Sequence, residues 1–315
     1  MRCGRAPRPA PAALRSRTWQ CCTHTPGGAA KEYSAVDRLV AVHGIGLVEA
    51  DTPIVYADDP GLLRGDGVFE AWLLAAGQPV LLPAHLDRLH RSALSLELAL
   101  PELDALRTFV LDVAAAWPRD VEAVQRLVCT RGRVGTGRPT IFTTVEPVPH
   151  WTSINRQRGL RLVTGTVGFP VQERATAPWL LGGVKSLSYA VHTASQRWAA
   201  NRGAQEMLWL SSDGYALECP SFNLVWIRSS TMFTVPSWSG IIAGTTAGAL
   251  ITQAPALGLA SDEALVTPEE LARADGVWLT GSLSGILAAT ELDGRPLTRS
   301  PLLAEARRLI GYPGS

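Results

Sequence analysis

From Leu39 onward the apolar and polar residues recur with the periods of packed secondary structure. Alternation and β-branched runs predict strands over 39–57 and 67–82, the second run reversing at Gly77-Gln78 as a hairpin. Pro83 then precedes a helix whose stripe is Leu86, Leu89, Ala93 and Leu96, and a second helix is expected over 102–116. Runs 123–130 and 140–145 are predicted to pair across the glycine-bearing stretch 132–137. The first half therefore reads as strands with helices on one face. Residues 147–158, with their prolines, Trp151 and polar positions, read as a linker.

The second half opens with a strand at Leu160–Thr164. A long helix is predicted directly after Lys185, with Leu187, Val191, Ala194 and Trp198 as its apolar positions and Gly203 as its stop. Asp213-Gly214 should join strands 206–211 and 215–219 in a hairpin. Strands at 223–228 and 231–235, a helix from Thr246, and strands near 276–281 and 286–292 complete the pattern. No internal repeat is present. The expected class is α+β, in two unlike domains (38–150 and 159–315) joined by the linker 151–158, with a cleft between them.

Composition changes this picture in two places. Residues 1–37 carry five arginines before position 18 and no acidic residue until Glu32. The stretch has the composition of an organelle-targeting segment but no apolar periodicity, so it reads as a disordered extension without a catalytic part. Over the whole chain 29 basic residues balance 28 acidic ones, which offers no field for nucleic acid or a membrane surface. A small neutral or modestly anionic ligand fits that balance, and no apolar run reaches the length of a bilayer span. The five cysteines form no C-x-x-C pair, which argues for a reducing, cytoplasmic setting and against a zinc site.

Common catalytic motifs are absent. Gly182-Gly183-Val184-Lys185-Ser186 lacks phosphate-loop spacing, and Gly281-Ser282-Leu283-Ser284-Gly285 has leucine where a hydrolase elbow needs serine. His85 and His90 are five apart, the wrong spacing for a shared metal on one helix face. What stands out is scarcity: Lys31 and Lys185 are the only lysines. A desolvated lysine has a lowered pKa and can condense with an aldehyde. Further on, Glu218 ends a strand among apolar residues, where a carboxylate needs a buried proton donor such as a protonated pyridine nitrogen. Gly240–Thr246 runs as a turn into a helix, so backbone N–H groups would converge there on an anion. Thr246 adds a hydroxyl, and Arg88 can add a guanidinium fork.

Taken in order, the stretches Gly65-Asp66-Gly67-Val68-Phe69-Glu70, His85-Leu86-Asp87-Arg88-Leu89 with Ser92, and Thr130-Arg131-Gly132 carry a resemblance. So do Lys185-Ser186-Leu187-Ser188-Tyr189, Asp213-Gly214 leading to Glu218 and Asn223, Gly240 to Thr246, and Leu279-Thr280-Gly281-Ser282. Together they resemble the class IV, or fold type IV, family of pyridoxal-5′-phosphate (PLP) aminotransferases and lyases. The resemblance implies a small and a larger α/β-type domain with PLP at their boundary, in a homodimer acting on a small molecule. It implies that Lys185 is the catalytic lysine joined to the cofactor and that Glu218 faces the pyridine nitrogen. Arg88, Asn223, Thr245, Thr246 and Ser282 would complete the cofactor site, with Arg131 and Tyr189 toward the substrate. Ala247 stands where the family usually has arginine.

The resemblance also implies a choice of reactions. One is a lyase releasing pyruvate and 4-aminobenzoate from 4-amino-4-deoxychorismate; another is an aminotransferase for branched-chain or D-amino acids; a third is a non-catalytic relative. The Arg-x-His pair of D-amino-acid enzymes is missing from Arg133–Pro139, and only five tyrosines exist for a branched-chain pocket. The stretches around Lys185 and Glu218 look most like lyases, and both key residues are intact.

Overall fold

The computed structural model describes residues 38–312, all within one compact unit. The extension 1–37 and its expected disorder lie outside the described residues. The first sheet has six strands: β1 (Leu39–Val42), β2 (Gly46–Val48), β3 (Gly67–Ala75), β4 (Gln78–Pro79), β5 (Ala123–Thr130) and β6 (Thr140–Pro147). Their order is β2-β1-β6-β5-β3-β4 and every pairing is antiparallel. Helices α1 (Pro60–Arg64), α2 (Leu82–Ser95) and α3 (Leu103–Ala115) accompany it, and α4 (His150–Arg158) leads out of it.

A second sheet of nine strands follows. It contains β7 (Leu160–Thr166), β8 (Glu206–Leu210), β9 (Glu218–Cys219), β10 (Phe222–Arg228) and β11 (Thr231–Thr234). β12 (Ala260–Glu263), β13 (Gly276–Gly281), β14 (Gly285–Leu292) and β15 (Arg295–Pro296) complete it. The main path β12-β11-β10-β13-β14-β7-β8 mixes parallel and antiparallel pairs. Five helices attend this half: α5 (Glu173–Thr176), α6 (Ala190–Ala200), α7 (Thr245–Thr252), α8 (Pro268–Leu271) and α9 (Leu303–Leu309). No helix among the described residues is long and apolar enough to cross a membrane.

Each sheet buries its own apolar cluster. In the first, Leu82, Leu86, Leu89 and Ala93 of α2 meet Val68, Trp72 and Leu74 of β3 and Leu127 of β5. Fully burying such a side chain contributes about 1.5–3 kcal/mol. A third cluster joins the halves: Leu73 of β3 packs with Val225, Trp278 and Ile286 of the second sheet. This shared cluster ties the two sheets within the one compact unit.

Several expectations need correction. Strand character does not persist through 49–57, and the short helix α1 follows where none was predicted. The linker 151–158 is helical: α4 buries Arg156, which donates to the Leu283 carbonyl at 2.9 Å and pairs with Glu122 at 2.8 Å. The helix after Lys185 begins only at Ala190. Residues 185–187 instead lie along β3, with Phe69 N–H donating to the Lys185 carbonyl (3.1 Å) and Leu187 N–H to that of Gly67 (2.9 Å). The predicted stripe of that helix is also wrong, since Val191 and Trp198 are exposed and only Ala199 is buried. The Asp213-Gly214 hairpin shrinks to a bridge between Leu210 and Ala216, because Glu218 and Cys219 pair with β10. At 185–187 and at 218–219 a tertiary backbone partner outcompetes the local pattern.

Candidate active site

Helix α2 carries two kinds of residue on its inward face. Leu82, Leu86, Leu89 and Ala93 fill the core, while His85, Arg88 and Ser92 are buried beside them, three or four positions apart. Strand β3 presents Glu70 to the same region. The Glu70 carboxylate accepts from Arg88 Nε (2.7 Å) and NH2 (2.8 Å) and from His85 Nδ1 (2.7 Å). Burial by itself would raise the Glu70 carboxyl, but Arg88 and His85 outweigh it and bring the pKa down to about 2. His85 is pushed down from its usual value, chiefly by burial, which favours the neutral ring. Its Nδ1 proton points to the carboxylate, which leaves Nε2 to accept from the Thr245 hydroxyl at 3.3 Å. The remaining nitrogen of Arg88 donates to the Ala243 carbonyl at 2.9 Å. Three of the five N–H groups of Arg88 are thus engaged with the protein.

Lys185 lies beside α2 and β3, held by a bond from its backbone N–H to the Ser92 hydroxyl at 3.1 Å. Its Nζ lies 4.7 Å from the centre of the Phe69 ring and 5.9 Å from that of Tyr189. Burial, then the charge of Arg88, lowers its pKa to about 8. Among the described residues no carboxylate forms an ion pair with it.

Glu218 is buried and likewise has no ion pair among the described residues. It accepts from Ile242 N–H (3.1 Å) and from Asn223 Nδ2 (3.2 Å), and burial raises its pKa to about 7. Asn223 also donates to the Ile242 carbonyl at 2.7 Å, so it braces both Glu218 and the strand-to-helix turn. That turn passes so close that a Cβ on Gly244 would collide with the Asn223 amide. Beyond Gly244, α7 starts without a side-chain cap, and the first bond of its helical ladder is from Gly248 N–H to the Gly244 carbonyl. The N–H groups of Thr245, Thr246 and Ala247 therefore have no carbonyl to reach within the helix.

Arg88, Lys185, Tyr189, Glu218, Asn223, Thr245, Thr246 and Ser282 all line one cavity. A second chamber of about 350 Å³ opens from it, sharing Lys185, Tyr189, Ser221, Phe222 and Ser282. Phe69, Ala71, Trp151, Leu187 and Leu283 make it apolar, and Arg126 is its one charged side chain besides Lys185. The chamber has the size of a small-ligand site.

The structure does not bring Arg131 to this place. Its guanidinium grips Asp66 at 2.6 and 2.9 Å and the Leu96 carbonyl at 2.6 Å, and it lines a separate depression. Arg126 is the guanidinium in the chamber, and alternation along β5 could have found it. Gln125, Leu127 and Cys129 face the core, so Arg126 faces the opposite side, level with Ala71. Tyr189 lines both cavities as a wall, its hydroxyl already donating to the Pro220 carbonyl at 3.1 Å.

Comparison with known proteins agrees with this geometry. Residues 67–292 match the sequence profile of the family "Amino-transferase class IV". A bifunctional aminodeoxychorismate lyase / D-amino acid transaminase of Mycobacterium tuberculosis is 35% identical over 273 residues, which are 84% of this chain and 94% of that protein. A hypothetical aminotransferase from Mycobacterium tuberculosis, solved in its PLP-bound form, has a TM-score of 0.83 at 35% identity, covering 86% of this chain and 97% of that one. The 4-amino-4-deoxychorismate lyase of Pseudomonas aeruginosa has a TM-score of 0.70 at 27% identity, covering 86% and 96%. Lys185, Glu218 and the residues around them fall inside the matched span, and the chain belongs to the amino-transferase class IV family of PLP-dependent enzymes.

Proposed function

We propose that this chain is a PLP-dependent 4-amino-4-deoxychorismate lyase, releasing pyruvate and 4-aminobenzoate. The observation that carries the reading is the placement of Lys185 where the two cavities meet, with Glu218 unpaired in one and Arg126 in the other. The residues fit PLP at three points. Lys185 offers an amine lowered to about 8, able to join an aldehyde. Glu218 offers a carboxyl raised to about 7 that a pyridinium N–H would satisfy. The free N–H groups at the start of α7, with Thr245, Thr246 and Ser282 nearby, suit a phosphate. Arg88 would add its positive charge and hold the Ala243 carbonyl.

When bound, PLP supplies an electron sink for the carbon attached to the substrate nitrogen. Glu218 would keep the pyridine nitrogen protonated. Lys185, once released by the substrate amine, would remove the proton from the amine-bearing ring carbon, a step that needs a neutral amine near the working pH. The same amine would return a proton to the departing enolpyruvate as the ring becomes aromatic. Phe69, Trp151, Leu187 and Phe222 would enclose the substrate ring and exclude water. Arg126, whose nearest carboxylate is Glu146 at 3.9 Å, would take a substrate carboxylate.

A second reading, D-amino-acid transamination at the same lysine, is favoured by the Mycobacterium tuberculosis relative, which carries both activities in its name. Incubation of the PLP-loaded protein with aminodeoxychorismate, following 4-aminobenzoate and pyruvate, tests the first. D-alanine with 2-oxoglutarate tests the second. Amino transfer without 4-aminobenzoate would replace the lyase reading. The same family reading implies a homodimer, for which the exposed Leu62, Leu63, Trp179 and Val191 offer apolar surface.

A further inference from the structure

The last described residue is buried. Tyr312 follows α9 through Gly311 and is 4% exposed. Its ring lies against Gly285, where a Cβ would come within 2.7 Å of it, and Gly285 has φ +73°. Both the contact and the backbone therefore require glycine at the β13–β14 turn. The phenol oxygen is 3.0 Å from the Ser282 carbonyl and 3.1 Å from Thr246 Oγ1. A carbonyl can only accept, so the Tyr312 proton goes to Ser282. The Thr246 hydroxyl then donates to the phenol oxygen. One side chain thus ties the first turn of α7 to the turn after β13, the two segments that would face the cofactor phosphate.

Neighbouring carbonyls are held from the same outer side. Arg156 donates to Leu283 at 2.9 Å, and Arg307 donates to Ile286 at 2.7 Å. Only Tyr312, however, also reaches α7. Burial keeps its phenol protonated, with a pKa of about 12.

We propose that Tyr312 is a positioning residue for the cofactor phosphate, setting the spacing between Thr246 and Ser282 without touching the reacting atoms. This inference rests on the PLP reading of the site. It separates the phosphate end of the cavity from the end at Lys185 and Glu218, which Tyr312 does not contact through any hydrogen bond.

The test compares two aldehydes, PLP and pyridoxal, which lacks the phosphate. Their dissociation constants are measured by absorbance titration of the full-length apoprotein, wild type and Tyr312→Phe. Phenylalanine keeps the ring against Gly285 and removes only the hydroxyl. The PLP constant is expected to rise about five- to tenfold, as for a lost hydrogen bond, while the pyridoxal constant stays within about twofold. Equal weakening of both aldehydes, the mark of a merely structural role, would overturn the inference, as would unchanged PLP binding. If the phenylalanine variant does not fold, Tyr312→Met is read by the same ratio. Wild-type protein that binds neither aldehyde at Lys185 would instead sink the cofactor reading, so the two failures are distinct.

Discussion

Two groups of buried charge meet at this site, and they are built on opposite plans. In the first, Glu70 is satisfied by His85 and Arg88 through three contacts of 2.7 to 2.8 Å, and the Glu70 pKa falls to about 2. In the second, Lys185 and Glu218 are enclosed without an ion pair among the described residues, and their pKa values are drawn together to about 8 and about 7. A satisfied cluster stabilises the fold and orients what it touches, here Thr245 and the Ala243 carbonyl. An unsatisfied pair is costly until a ligand completes it, which is the signature of a site rather than a scaffold. The contrast assigns opposite consequences to removing a charge in each group.

The largest effect is expected at Lys185. Lys185→Ala should abolish borohydride-trapped PLP attachment, checked by mass, because no other lysine lies within the described residues. Turnover should fall by at least the ~10²–10⁴-fold typical of losing a general base. Trapping of PLP at an unchanged level in this variant would break the assignment.

Stability separates the two groups next. Glu70→Gln leaves Arg88 buried without its carboxylate and should lower apoprotein stability by about 3–5 kcal/mol in denaturant titration. Glu218→Gln removes an unpaired buried carboxyl, so apoprotein stability should hold or rise while turnover drops by orders of magnitude. Equal destabilisation by the two variants would erase the comparison. Arg88→Ala belongs with Glu70→Gln, and any loss of PLP binding in it needs correction for lost fold.

The pH dependence differs in sign. Glu218 is raised in the folded state from 4.5 to about 7, so the folded protein binds the extra proton and apoprotein stability falls as pH rises through that window. Glu70 is lowered from 4.5 to about 2, so its contribution is present above 4.5 and is lost as pH falls toward 2. Glu218→Gln should remove the first slope and leave the second. Lys185 must be neutral to attack an aldehyde, so the rate of PLP attachment should climb with pH and level off above about 8. A midpoint near 10.5, the ordinary lysine value, would mean that the amine is not desolvated as described.

The smallest effect is expected at Thr246. Its hydroxyl proton is already given to Tyr312 and the backbone N–H groups of the helix start persist, so Thr246→Ala should weaken PLP about two- to tenfold, and excess PLP should restore turnover. A larger loss would place more of the phosphate grip on side chains than on the helix start.

Local pattern was enough for much of this molecule. The α2 stripe, the pairing of 123–130 with 140–145, and the strands read at 223–228, 276–281 and 286–292 follow from periods of 3.6 and 2 that adjacent residues impose. Lys185 and Glu218 were also legible, because a scarce lysine and a carboxylate in an apolar strand are anomalies visible in one dimension. What depends on a distant partner was not. Residues 185–187 follow β3 rather than a helix because Gly67 and Phe69 offer them backbone bonds. Helix α4 replaces a linker where Arg156 finds Glu122 and the Leu283 carbonyl. Arg131 and Arg126 are equally basic in sequence, and only the fold gives one to Asp66 and the other to the chamber. Sequence carries propensity and periodicity, which are local. The partner that satisfies a buried hydrogen bond or charge is chosen by packing, and packing brings together residues as far apart as Thr246 and Tyr312.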